Sequence, residues 1–246
     1  MTYCVGLFLD DGLVMLADTR TNAGVDNISS FAKLQVFSTP GDRMIATMTA
    51  GSLAVSQAVM NLIQEGVQDP ETGETATIYT VPSMFRAASL VGEAVRQVYR
   101  THGKAMQEHG LSFDVSILLG GQLHGRTVRL FQIYSAGNFI EATGDTPFLQ
   151  IGEHKYGKPI LDRAVTSETN LIDGIKLALI SMDSTLRSNL SVGLPMDLLV
   201  YRKDHLEGPS LRRITEDDEY FLMLRKRWSE AISEAHRQIP QPDWGF

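Results

Sequence analysis

Thr2 directly follows Met1, and removing that methionine would put a threonine at the head of the apolar run Tyr3 to Leu9. A terminal threonine carries a β-hydroxyl and a free α-amine, a nucleophile and its base on one residue. The amine's ordinary pKa of about 7.7–8.0 leaves a usable neutral fraction near pH 7. The β-branch restricts χ1 and so limits the directions the hydroxyl can take. Taken alone, Thr2 is an ordinary early residue; what surrounds it decides. Asp18 ends a second apolar run, Leu13 to Ala17, which the turn signal Asp11-Gly12 folds back on the first. Hairpin geometry therefore returns Asp18 close to Thr2. Lys33 opens the next strand pattern after a loop. A lysine beside Thr2 would favour a neutral amine and a developing alkoxide, and Asp18 would keep that lysine charged and aimed. The competing reading is a surface ion pair worth about 0–1 kcal/mol. Gly51 stands where a strand pattern gives way to a helical one, so its N–H has the geometry of an oxyanion donor. A glycine needed only for a tight turn is the alternative.

Other chemistries find no support. The histidines His102, His109, His124, His154, His205 and His236 form no HExxH or Cys/His cluster, and Cys4 stands alone. No metal site and no disulfide are expected. A Walker loop, a GxGxxG after a strand and a GxSxG elbow are all absent, so no cofactor is expected. Gly120-Gly121 reads as a hairpin turn rather than a phosphate cradle. A formal charge of −7 argues against nucleic acid or an anionic membrane as partner. No apolar run approaches the roughly 18 residues that span a bilayer, and no basic segment precedes Tyr3 as in a signal peptide. The expectation is a soluble, cytoplasmic protein.

The elements that must hold these residues begin with strands. The runs over Tyr3–Leu9 and Leu13–Ala17 are apolar on both faces, as in strands covered on two sides. Thr19 to Ser30 is loop-like, and Leu34–Ser38 pairs with Met44–Thr49 around Pro40-Gly41-Asp42. After Gly51 the apolar spacing becomes helical through Leu53, Val55, Val59, Leu62 and Ile63, with Ser52 as N-cap. Gln68–Thr77 reads as a surface loop. A long helix follows with Phe85, Ala88, Val91, Val95 and Val98 on one face. Ser112–Leu119 and Val128–Tyr134 read as a hairpin. Helices are expected around His154–Arg163 and over Leu171–Leu186, strands over Met196–Tyr201 and Ser210–Ile214, and a last helix over Asp217–Arg237. Two sheets face to face, each covered by two helices, would bury every apolar face, and no linker divides residues 1–246.

The pattern resembles the proteasome-type peptidases of the N-terminal nucleophile hydrolase superfamily. Thr2, the segment Leu16-Ala17-Asp18-Thr19-Arg20, Lys33 and the turn Thr49-Ala50-Gly51-Ser52 stand in register with that family's motifs. Within it the chain is most similar to the bacterial Anbu (ancestral β-subunit) group, which starts with Met-Thr and adds a C-terminal helical extension, here about 217–246. The resemblance implies an α+β, four-layer αββα sandwich and assembly into ring or open-ring homo-oligomers. It implies Thr2 as nucleophile, Lys33 as the tuning charge, Asp18 as its partner and Gly51 as oxyanion donor. Asn22, Thr49 and Leu53 fall at substrate-binding positions, and Ser191 matches a serine that positions the hydrolytic water. Two positions depart from the family. Its aspartate three residues before that serine is Ser188 here, and its GSG segment is Gly152-Glu153-His154.

These readings lead to a threonine-type peptidase or amidohydrolase acting on peptide or amide substrates. Two others compete: a small-amide or isopeptide hydrolase, and a ring-forming scaffold whose site is vestigial. No ATPase motif is present in the chain, and an unfoldase partner is left open.

Overall fold

The computed structural model describes residues 1–22, 28–68 and 73–245; the side chains of Asn22 and Ile28 are outside that description. The strands are β1 (Tyr3–Leu9), β2 (Gly12–Asp18), β3 (Arg20–Asn22), β4 (Ile28–Ser30), β5 (Leu34–Thr39), β6 (Arg43–Gly51), β7 (Val67–Gln68) and β8 (Thr75–Ala76). They continue as β9 (Val115–Leu123), β10 (Arg129–Ile133), β11 (Phe139–Glu141), β12 (Phe148–Gly152), β13 (Met196–Arg202) and β14 (Ser210–Ile214). The helices are α1 (Leu53–Glu65), α2 (Met84–Glu108), α3 (Lys158–Ala164), α4 (Leu171–Ser188) and α5 (Glu219–Gln238).

Two antiparallel five-stranded sheets carry the chain, in the orders β12-β1-β2-β13-β14 and β11-β10-β9-β6-β5. Strand alternation assigns each residue a side. Tyr3, Val5 and Leu7 of β1 join Val14 and Leu16 of β2 in one buried cluster with Leu161, Ala178, Leu179 and Met182 of α3 and α4. Their neighbours Cys4, Leu13, Met15 and Ala17 instead meet Met44, Ala46, Met48 and Leu118 of the second sheet. Ile45, Ile117 and Leu119, on that sheet's other face, pack under α1 and α2. The double-sided apolar runs of β1 and β2 are therefore strands with packed side chains on both faces.

Several expectations need correction. Gly120 and Gly121 lie inside β9, paired with Ala46 and Ile45, and make no turn. A β-carbon at Gly120 would press on Leu13, Met15 and Leu130, and one at Gly121 would overlap the Met44 carbonyl. These glycines serve close packing, and the chain reverses later, around Gly125 (φ +66°). The loop-like Thr19–Ser30 segment contains the short β3–β4 pair, and Val67–Gln68 pairs with Thr75–Ala76. Phe85 is 47% exposed rather than core, stacking edge-on against Phe139. The short helix starts at Lys158, with Pro159 in its first turn, rather than near His154. Strands β11 and β12 were not expected. The second matters most, because β12 pairs with β1 and sets Gly152 opposite Tyr3.

Candidate active site

β1 leaves Thr2 at the open end of its sheet, and the next sheet partners fix what surrounds it. Thr2 O accepts from Glu153 N at 2.7 Å, extending the β1–β12 ladder by one bond. On the other side Asp18, the last residue of β2, accepts from Tyr3 N at 3.0 Å. Asp18 has no solvent exposure. It accepts from Lys33 Nζ at 2.7 Å and, at 3.4 Å, from Gly193 N. Burial pushes the Asp18 carboxyl above its ordinary pKa, and Lys33 with these N–H donors pulls it part of the way back. Lys33 is 6% exposed and also donates to Arg20 O at 2.7 Å. The second shared motif residue, Arg20, reaches across to Leu190 O at 3.0 Å and lies where a side chain on Gly193 would have to go. The pair is thus a buried ion pair, not a surface one, so losing either partner leaves an uncompensated charge.

Gly51 ends β6 with φ +103°, and a β-carbon there would overlap the Asp114 carbonyl. Only glycine suits both conditions. Ser52 then caps α1, its side chain accepting from Val55 N, while Ser52 N donates to Asp114 O at 2.8 Å.

Thr2, Lys33, Thr49, Gly51 and Leu53 line one cavity of about 320 Å³ together with Met1, Thr21, Ala50, Ser56, Asp114, Gly152 and Glu153. Asp18 stands behind Lys33, outside the lining. Asn22 closes β3, and its side chain lies outside the described residues. Ser191 does not line the cavity; its N–H donates to Asn189 Oδ1 at 2.9 Å. Asn189 Nδ2 donates in turn to Glu153 Oε2 at 3.2 Å. Ser188 is the last residue of α4. Sequence reasoning missed Thr21, Ser56 and Asp114. Ser56 sits one helical turn from Leu53 and could have been found from that spacing. Thr21 and Asp114 arrive by strand pairing, which leaves no local signal. Among the described residues no cluster of His, Cys, Asp and Glu could hold a metal ion, and no helix is long and apolar enough to cross a membrane.

Solved structures with this architecture decide the family. Anbu (ancestral β-subunit) from Yersinia bercovieri is 48% identical with a TM-score of 0.89, over 99% of this chain and all of that one. The chain belongs to the Anbu family. A Gly(−1) mutant of Anbu from Hyphomicrobium sp. strain MC1 is 49% identical over 99% of this chain and all of that one, with a TM-score of 0.90. The Anbu complex from Pseudomonas aeruginosa, solved as a helical assembly, is 47% identical over 99% of both chains, with a TM-score of 0.90. No protein-family model matches the chain, nor does any curated protein. Anbu is a group of proteasome-like N-terminal nucleophile hydrolases, so the resemblance read from Thr2, the Asp18 segment, Lys33 and the Gly51 turn extends to nearly the whole chain.

Proposed function

We propose that this Anbu chain is a threonine-type peptidase or amidohydrolase with Thr2, freed of Met1, as nucleophile. The observation that carries the reading is the convergence of Thr2, Lys33 and Gly51 on one cavity, with Asp18 buried behind Lys33. In the proposed reaction the α-amine takes the hydroxyl proton as Oγ attacks a carbonyl carbon. Lys33 favours the neutral amine and the developing alkoxide. The Gly51 N–H receives the oxyanion. The amine returns its proton to the leaving amine, and water then cleaves the ester to restore Thr2. Ser191 would help place that water, through Asn189 and Glu153. Thr49, Leu53 and Asn22 would contact the peptide or amide substrate.

The three buried clusters support a four-layer αββα arrangement, in which residues 1–246 act as one β-subunit-like unit with α5 as its extension. The relative's helical assembly supports a homo-oligomer, and its ring or open-ring form and cytoplasmic place are part of the proposal.

The test is intact mass after incubation with an epoxyketone or β-lactone. A single covalent adduct that maps to Thr2 and is lost in Thr2→Ala is the expected result. A chain that carries Met1 throughout and takes no adduct would overturn the proposal and leave the scaffold reading.

A further inference from the structure

Glu153 is a carboxylate in an unusual place. It is 9% exposed and lines the Thr2 cavity, yet among the described residues its one side-chain hydrogen bond comes from Asn189, at 3.2 Å. A carboxylate has room for about four donors, and burying one with most of that capacity unused is costly. The nearest cation is Lys155 Nζ, 3.8 Å from Oε1, on a side chain that is 74% exposed and therefore screened.

Two contacts tie these residues to Thr2 and Met1, on either side of the peptide bond that becomes the amine. Glu153 N donates to Thr2 O at 2.7 Å, fixing the carboxylate's own residue to the nucleophile. Asn189 Nδ2, which holds the carboxylate, also touches Met1 Sδ at 3.8 Å. Met1 is the residue whose departure converts the Thr2 amide into an amine. We infer that Glu153 is the positioning residue for the Thr2 α-amine: it receives the amine as an ammonium once Met1 leaves, and so sets the pH at which Thr2 acquires its base.

The other charges around Glu153 do not substitute for it. Lys33 lines the same cavity but is committed to Asp18. His154 turns Nδ1 to within 3.2 Å of Gly152 O. Arg187, on the last turn of α4, is held by Asp183. Asp114, which also lines the cavity, adds a second negative charge with the same sign of effect. An anion beside an amine favours the protonated form, whereas Lys33 opposes it. Glu153 therefore delays the base, while Lys33 advances it.

This inference rests on the proposed role of Thr2, and the experiment separates the two. The full chain with Thr2 as first residue, verified by intact mass, is reductively 13C-methylated and its α-amine titrated by NMR. Glu153→Gln keeps the shape and a partner for Asn189 but deletes the charge. Its α-amine midpoint should fall by about one pH unit or more relative to wild type, whereas Glu153→Asp should retain part of the difference. Asn189→Ala, which frees the carboxylate without removing it, should shift the midpoint the same way but less. Unchanged midpoints in Glu153→Gln, or in Asn189→Ala if the former does not fold, overturn the inference whether or not Thr2 reacts. β-Lactone labelling of unmethylated portions of the same proteins, in which the α-amine is free to act as base, reports on the nucleophile separately: a shifted midpoint with no adduct on Thr2 at any pH would sink the proposed function and leave the amine's partner established.

Discussion

Lys33 brings its charge to a site where 6% of its surface meets water, and Asp18 meets none. Deleting Lys33 therefore strands a buried carboxylate. Such a loss costs about 3–5 kcal/mol when the remaining charge cannot neutralise, but Asp18 already sits above its ordinary pKa because of burial and can take up a proton instead. The sharper consequence is chemical. Lys33→Ala should lower Thr2 labelling at pH 7.5 by at least about a hundredfold, as loss of an electrostatic donor does elsewhere. Raising the pH should partly restore it by deprotonating the amine, whereas Thr2→Ala should stay inert. Equal labelling of wild type and Lys33→Ala would remove this constellation from the reaction. Acid should act through Asp18 with a definite sign. Below the amine's midpoint, log labelling rate falls by about one per pH unit. Where Asp18 also takes its proton, Lys33 loses its anchor and the slope should steepen toward two. That break belongs above the ordinary aspartate value of about 3.9, because burial raises this carboxyl, and Asp18→Asn should abolish it. Thr2, Asp18, Lys33 and Gly51 were legible because each lies at the end of an element whose pattern is local. Glu153 showed in the sequence as a departure from the family, but its bond from Asn189 did not, since it joins residues 36 apart through a turn and a helix end.

Pairing explains the elements that local pattern misjudged. A Gly-Gly between apolar runs carries the same signal whether the chain turns or merely needs room. At Gly121 the neighbouring Met44 carbonyl decides, and that neighbour is nearly eighty positions away. The short strands β11 and β12 have too few residues to show alternation and exist because β10 and β1 offer them an edge. Helices were easier to read, since α1, α2 and α4 each span several turns with one apolar face and an N-cap: Ser52, Ser83 and Asn170. These differences are measurable. Gly121→Ala should destabilise the fold by at least about 2 kcal/mol through overpacking against backbone. Gly125→Ala, in open space at φ +66°, should cost about 1 kcal/mol of backbone strain. Urea titration of the two variants distinguishes them; equal losses would mean that the close approach inside β9 is not tight. Ser52→Ala should cost about 1 kcal/mol by uncapping α1, and should also disturb the Gly51 turn that this helix start anchors.

At the scale of the whole chain, α5 is the element least accounted for by its own fold. Of its 20 residues only Phe221 and Leu224 are buried, and its root is fixed by Arg225 donating to Asp183 Oδ1 at 2.6 Å. Beside that root it presents Leu222 and Met223, farther along Ile232, and at its C-cap Ile239, at 47%, 45%, 51% and 65% exposure. Exposed apolar residues along one element are costly to leave in water and mark a surface that another protein covers. A second copy of this chain is the occupant proposed here, because a relative with 47% identity across 99% of both chains forms a helical assembly. A contact between unlike surfaces of identical chains repeats, closing a ring or continuing as an open helix. Multi-angle light scattering at micromolar concentration should therefore show a species well above a dimer. Met223→Glu with Ile232→Glu should reduce it to smaller species while leaving the circular dichroism spectrum and the melting temperature of the two-sheet core nearly unchanged, since neither side chain belongs to the buried clusters. A wild-type chain that scatters as a monomer would overturn the assembly, and a double variant as large as wild type would move the contact away from α5.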